Sequence, residues 1–191
     1  MPKECPLPMS QVVERLYDHM FYDFNSYRSH AEPLELQARG SVLIIGPGEF
    51  FEELALIEQD IADNKVKHIK IIGTNGMNAE LVIEQFNNNY QLPIDVSGDS
   101  YGGLFDDQPQ LTFDTIIFLG APLSQAQKTF DCLAEHLTVG GKAYFTVNAI
   151  QLPESTPEVE NCRMKIIEQV PRHPFYNWYG FYYGAVIEKV K

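Results

Sequence analysis

Residues 41–46, SVLIIG, form an unbroken apolar run that closes on a glycine. A strand with no polar side must be covered on both faces, which is the situation of a parallel sheet between helices. The pattern recurs. HIKIIG at 68–73, a short run at 93–97, FDTIIFLG at 113–120 and KAYFTVN at 142–148 read as further strands. Helical spacing fills the intervals at 49–63, at 77–89 with Leu81, Val82, Ile83 and Phe86 inward, and at 123–137. Gly140-Gly141 reads as the turn into the fifth strand. This β–α–β alternation predicts an α/β fold with right-handed crossovers.

The two ends depart from that rhythm. Residues 8–24 carry Val12, Val13, Leu16 and Met20 at helical spacing, with Ser10 placed as an N-cap. Residues 151–161, QLPESTPEVEN, read as a solvated loop. RMKIIEQV and FYYGAVIEKV then read as two strands with no helix between them, so they should pair antiparallel. The loop joining them, PRHPFYNWYGFYY, is strongly aromatic.

Composition narrows the function. The 191 residues suffice for one full core, and 45% hydrophobic content is that of a globular chain. No apolar run approaches the ~18–20 residues that span a bilayer. Met-Pro-Lys-Glu-Cys-Pro shows no basic-then-apolar leader, and Cys5, Cys132 and Cys162 lack Cys-x-x-Cys spacing, so a cytoplasmic protein with reduced thiols is expected. The net charge of −12, with no basic stripe, stands against a nucleic-acid partner, and the lack of a spanning run stands against a membrane one. The five histidines are dispersed, so no metal site is expected.

The turn Gly46-Pro47-Gly48 is the chemically suggestive motif. Glycines let the turn tighten and let a ligand approach the backbone. A nicotinamide dinucleotide requires Gly-x-Gly-x-x-Gly, but the sixth residue here is Phe51, which stands against that reading. A plain strand-to-helix turn is the alternative.

Four stretches in order, VLIIGPGEF, IIGTNGM, VSGDSYG and AEHLTVGGKAYFTV, make the chain from about residue 38 onward resemble the class I S-adenosylmethionine-dependent methyltransferases. The resemblance implies a Rossmann-like three-layer sandwich. Its seven-stranded, mostly parallel sheet would have the last strand antiparallel beside the sixth. It divides one domain into an N-terminal helical lid, 1–37, and a core, 38–191. It implies S-adenosylmethionine as cofactor, held by Gly46, Gly48, Glu49, Asn75, Asp99, Ser100 and Gly120. Two positions depart from the family pattern: Leu43-Ile44-Ile45 carries no acidic residue, and Asn75 stands where a carboxylate commonly holds the ribose. Losing that charge should cost about 1 kcal/mol, somewhat under tenfold in affinity.

The activity so implied is direct in-line methyl transfer to a small-molecule acceptor. The aromatic loop would wall the acceptor pocket and offer His173 or Tyr176 as proton acceptor. Tyr17, His19, Tyr22, Tyr27 and His30 lie on the lid segment, where His19 or His30 could also serve as a base. Two other readings stay open. One is a methyltransferase-like binding or regulatory protein without turnover, contacting a homodimer mate or another protein through the aromatic loop. The other is a different group transferase on the same scaffold, such as an aminopropyltransferase.

Overall fold

The computed structural model describes residues 7–17, 24–46, 51–73, 79–98, 101–122, 126–149, 158–168, 170 and 181–191. Its strands are β1 (Gly40–Ile45), β2 (Val66–Ile72), β3 (Ile94–Ser97), β4 (Phe113–Pro122), β5 (Leu137–Ala149), β6 (Cys162–Ile167) and β7 (Phe181–Lys189). They form one sheet in the order β3-β2-β1-β4-β5-β7-β6. β1 to β5 pair in parallel, and β7 lies antiparallel between β5 and β6. The Rossmann-like arrangement expected from the sequence is therefore present.

Alternation along the strands builds two cores. Val42, Ile44, Ile69, Ile71, Ile117 and Tyr144 face one layer, together with Phe24, Phe51, Leu54, Val82 and Phe86. That layer holds α1 (Met9–Tyr17), α2 (Phe24–Ala31), α3 (Glu52–Leu56), α4 (Glu58–Ala62) and α5 (Ala79–Asn89). Leu43, Ile45, Ile116, Ala143, Phe145 and Ile187 face the other, with Leu104, Phe105, Phe130 and Leu133 of α6 (Tyr101–Asp107) and α7 (Ala126–Glu135). Continuous apolar runs thus mean what they should: side chains buried on both sides of a parallel sheet.

Several local expectations need correction. The helix expected over 49–63 is two short helices broken at Ile57, whose φ of −99° and ψ of 8° lie off the helical values. The residue is buried, so the break follows packing rather than any Gly or Pro signal. The VSGDSYG stretch leads into α6, which Leu104 and Phe105 anchor despite two glycines and two aspartates of low helix propensity. Gly140-Gly141 lies inside β5, in the irregularity that sets Leu137 opposite Phe113 but Lys142 opposite Thr115. Ser10 is not the N-cap of α1. The Glu58 carboxylate accepts from the backbone N–H of both Met9 (2.5 Å) and Ser10 (3.2 Å), so a residue of α4 caps the helix. In α1 Val13 is buried and Val12 half-buried, and in α5 Val82 and Phe86 are buried while Ile83 is half-buried. Leu16 and Leu81 are not described at the side-chain level, and Met20 lies outside the described residues.

The amino end of β1 is pinned from β4. Asp114 accepts from the Ser41 N–H (2.9 Å) and the Thr138 hydroxyl (2.8 Å), and Thr115 accepts from the Arg39 N–H (3.0 Å). Gly40, at φ +60°, makes this possible: a Cβ there would lie 2.0 Å from Asp114 Oδ2. Gly40→Ala combines a left-handed backbone with that clash, and should destabilise by about 2–5 kcal/mol, lowering Tm by roughly 5–15 °C in a thermal melt.

The Glu58 contact also carries a pH signature. Tyr90 donates its hydroxyl to Glu58 at 2.6 Å, and burial, then the Glu58 contact, hold its pKa well above the ordinary tyrosine range. Burial likewise raises Tyr144 and Tyr183. A raised tyrosine stabilises the folded chain below its unfolded pKa, and that contribution is lost as pH rises past about 10 toward the folded pKa. A phenolate absorbance titration should show a fraction of the tyrosines ionising above the ordinary range, with Tyr90 ionising at lower pH in Glu58→Gln.

Candidate active site

The strand order reverses between β1 and β4. From β1 the chain runs outward to β3 and then returns to the other side, and such a reversal opens a crevice beyond the carboxyl ends of the strands. The β1–β4 ladder ends at Ile44 opposite Ile117, and the β4–β5 ladder is irregular between Phe118 and Ala121.

Gly46 stands at the mouth of this crevice. Its φ is +55°, and its N–H donates to the Ile72 carbonyl at 2.9 Å, tying the exit of β1 to that of β2. Among the described residues a Cβ there would meet the Phe118 ring, at 3.9 Å. The left-handed backbone calls for glycine. Gly120 lies on β4 within its irregular stretch. Ser97 ends the register row Ile45–Ile72–Ser97, and its hydroxyl is buried with no hydrogen-bond partner among the described residues. A buried orphan hydroxyl calls for a partner.

Of the residues expected from sequence, Gly46 follows β1 and Gly120 lies on β4, the two strands on either side of the reversal. Gly48, Glu49, Asn75, Asp99, Ser100, His173 and Tyr176 lie outside the described residues, as do His19, Tyr22 and most of the aromatic loop. No group of three or more His, Cys, Asp or Glu suited to a metal ion occurs among the described residues.

Phe51 occupies the position where a dinucleotide site needs its third glycine. It adopts the left-handed conformation itself, at φ 56°, and is buried in the core between the sheet and α1–α5. The ring thus supports the fold from below the turn. Phe51→Ala should cost about 3–5 kcal/mol, seen as a lower midpoint in urea unfolding at unchanged slope.

Sequence reasoning missed a buried polar cluster on the same face. Tyr27 donates to Glu53 Oε1, and His30 Nε2 lies 2.6 Å from the Thr146 hydroxyl. All four side chains are fully buried, as is Glu52. In sequence Tyr27 and His30 read as lid residues, with His30 also a candidate base; the structure pairs His30 with Thr146 instead. Glu52 and Glu53 look in sequence like an ordinary acidic first turn, and the partner of Glu53 is 26 residues away. Thr146 sits in an apolar strand run without any local signal.

No protein-family model matches the chain, and no curated protein matches it. Solved structures do. An rRNA methylase from Streptococcus thermophilus superposes with a TM-score of 0.50 at 12% identity, covering 90% of this chain and 99% of that one. The plantazolicin methyltransferase BpumL, solved in complex with SAH, superposes with a TM-score of 0.52 at 11% identity, covering 95% of this chain and 91% of that one. The sheet order, the antiparallel β7 and these superpositions agree: the chain has the Rossmann-like fold of the class I S-adenosylmethionine-dependent methyltransferases.

Proposed function

We propose that this chain binds S-adenosylmethionine in the crevice between β1 and β4 and methylates a small-molecule acceptor. The observation that carries the reading is the left-handed Gly46 at the point where the strand order reverses. When bound, the cofactor supplies an electrophilic methyl group on a sulfonium. In this proposal the cofactor approaches the backbone at Gly46 and at Gly120, where no Cβ stands in the way. The orphan Ser97 hydroxyl provides a polar contact beside β2 and β3. Asn75, Asp99 and Ser100 complete the set in this proposal, with His173 or Tyr176 as proton acceptor. Alignment of the reactants can contribute ~7–11 kcal/mol, so the chemistry does not require a strong base.

Charge favours a small acceptor. The solved structures of this fold include an rRNA methylase and a plantazolicin methyltransferase, so fold alone does not choose the acceptor. A net charge of −12 repels a nucleic-acid backbone.

Calorimetric titration with S-adenosylmethionine and S-adenosylhomocysteine tests the reading. Micromolar binding is expected, lost in Gly46→Val, whose β-branched side chain opposes a left-handed backbone, and weakened in Asn75→Ala. No heat from a folded protein at millimolar ligand would overturn the proposal and favour the non-catalytic binding protein.

A further inference from the structure

The crevice poses a mechanical problem. At its mouth the ladder between β1 and β4 has ended at Ile44, and that between β4 and β5 is irregular from Phe118 to Ala121 before it resumes at Val147. Backbone pairing therefore holds the Gly46 turn to the exit of β5 less directly than an uninterrupted ladder would. α3, which follows the turn, has five residues and cannot hold its own position, since so short a helix is not stable by itself.

α2 spans this gap. Tyr27 and His30 are one helical turn apart on its buried face. Tyr27 grips Glu53 in the first turn of α3, and His30 grips Thr146 near the end of β5. A second contact reinforces the β5 side. Leu34, in the 3₁₀ turn Glu32–Leu34 that continues α2, packs so closely on Gly184 that a Cβ there would lie 2.7 Å from Leu34 Cδ2. Gly184 is the register partner of Thr146 across β5 and β7. Apolar packing alone would let a short helix slide; buried directional bonds fix one position.

We propose that α2 is a strap across the strand-order reversal, and that Tyr27 and His30 are positioning residues. They set the cofactor turn against the exit of β5 and thereby set affinity for the cofactor. The affinity part of this inference rests on the proposed S-adenosylmethionine site; the mechanical part does not.

The experiment uses the full chain and S-adenosylhomocysteine as probe. Tyr27→Phe, His30→Gln, Thr146→Val and Thr146→Ser are compared with the parent protein by calorimetry, at a temperature where circular dichroism shows each folded. Amide exchange across Glu52–Leu56 is followed in parallel. Tyr27→Phe and Thr146→Val should each raise Kd at least about fivefold, while Thr146→Ser, which keeps the hydroxyl, should stay within about twofold. Thr146→Val should also speed exchange in α3, although Thr146 lies on another element. A drop in Tm with unchanged Kd and unchanged α3 exchange would make the two bonds merely structural and overturn the strap. If the parent protein binds neither S-adenosylhomocysteine nor S-adenosylmethionine, the proposed function fails and exchange decides the strap. Faster α3 exchange in Thr146→Val upholds it, and unchanged exchange overturns it. Should Thr146→Val not fold, His30→Gln gives the same comparison from the helix side.

Discussion

The reversal of strand order between β1 and β4 is the constraint on which the rest depends. Parallel strands need crossovers, and crossovers of one hand place helices on one face when the chain moves outward and on the other when it returns. α3, α4 and α5 accordingly cover one side of the sheet, and α6 and α7 the other. At the reversal adjacent strands send their following chain to opposite faces and away from each other. The space left between is what the ladder shows as an early end, at Ile44 and Ile117. Neither a catalytic group nor a cofactor creates that space. It is a consequence of chain topology, to which the residues at the strand exits add chemistry.

Legibility in the sequence follows the range of the forces involved. The strands are legible because their signal is local and redundant: each of Val42 to Ile45 is buried, and losing one apolar residue would leave the pattern. The order of the first five strands, and the antiparallel ending, follow from the alternation and the resemblance together. The helix break at Ile57 is not legible, because the residue is apolar on both readings and only its packing decides. α6 is not legible because YGGLFDD carries turn residues, and only burial of Leu104 and Phe105 outweighs them. The cap of α1 is supplied by Glu58, far along the chain, so no scan for a capping residue beside the helix could find it.

The candidate site divides in the same way. Gly46 is legible, since an apolar strand ending in glycine is a local backbone requirement, and its φ of +55° is the conformation that requirement describes. Phe51 is half legible. Its presence in place of a third glycine is plain in the sequence, yet its role as a core residue in a left-handed backbone is a tertiary fact. The buried polar pairs are illegible. Tyr27 finds Glu53 across 26 residues and His30 finds Thr146 across 116, and nothing near any of the four marks it as paired.

Those pairs show how stability and precision are separated in this molecule. The layer around them is apolar, built from Phe24, Leu34, Phe51, Leu54 and the inward side chains of β1 and β4. Burying polar groups in such a layer is a poor route to stability, since well-packed apolar side chains of similar volume would often serve as well or better. Their physical contribution is direction. A hydroxyl bonded to a carboxylate, or an imidazole to a hydroxyl, tolerates little displacement, whereas an apolar contact keeps most of its energy through a small slide. Where the backbone ladder runs intact, this distinction matters little. At the strand-order reversal the β1–β4 ladder stops at Ile44, and beyond it the Gly46 turn is held by its bond to the Ile72 carbonyl and by these four side chains.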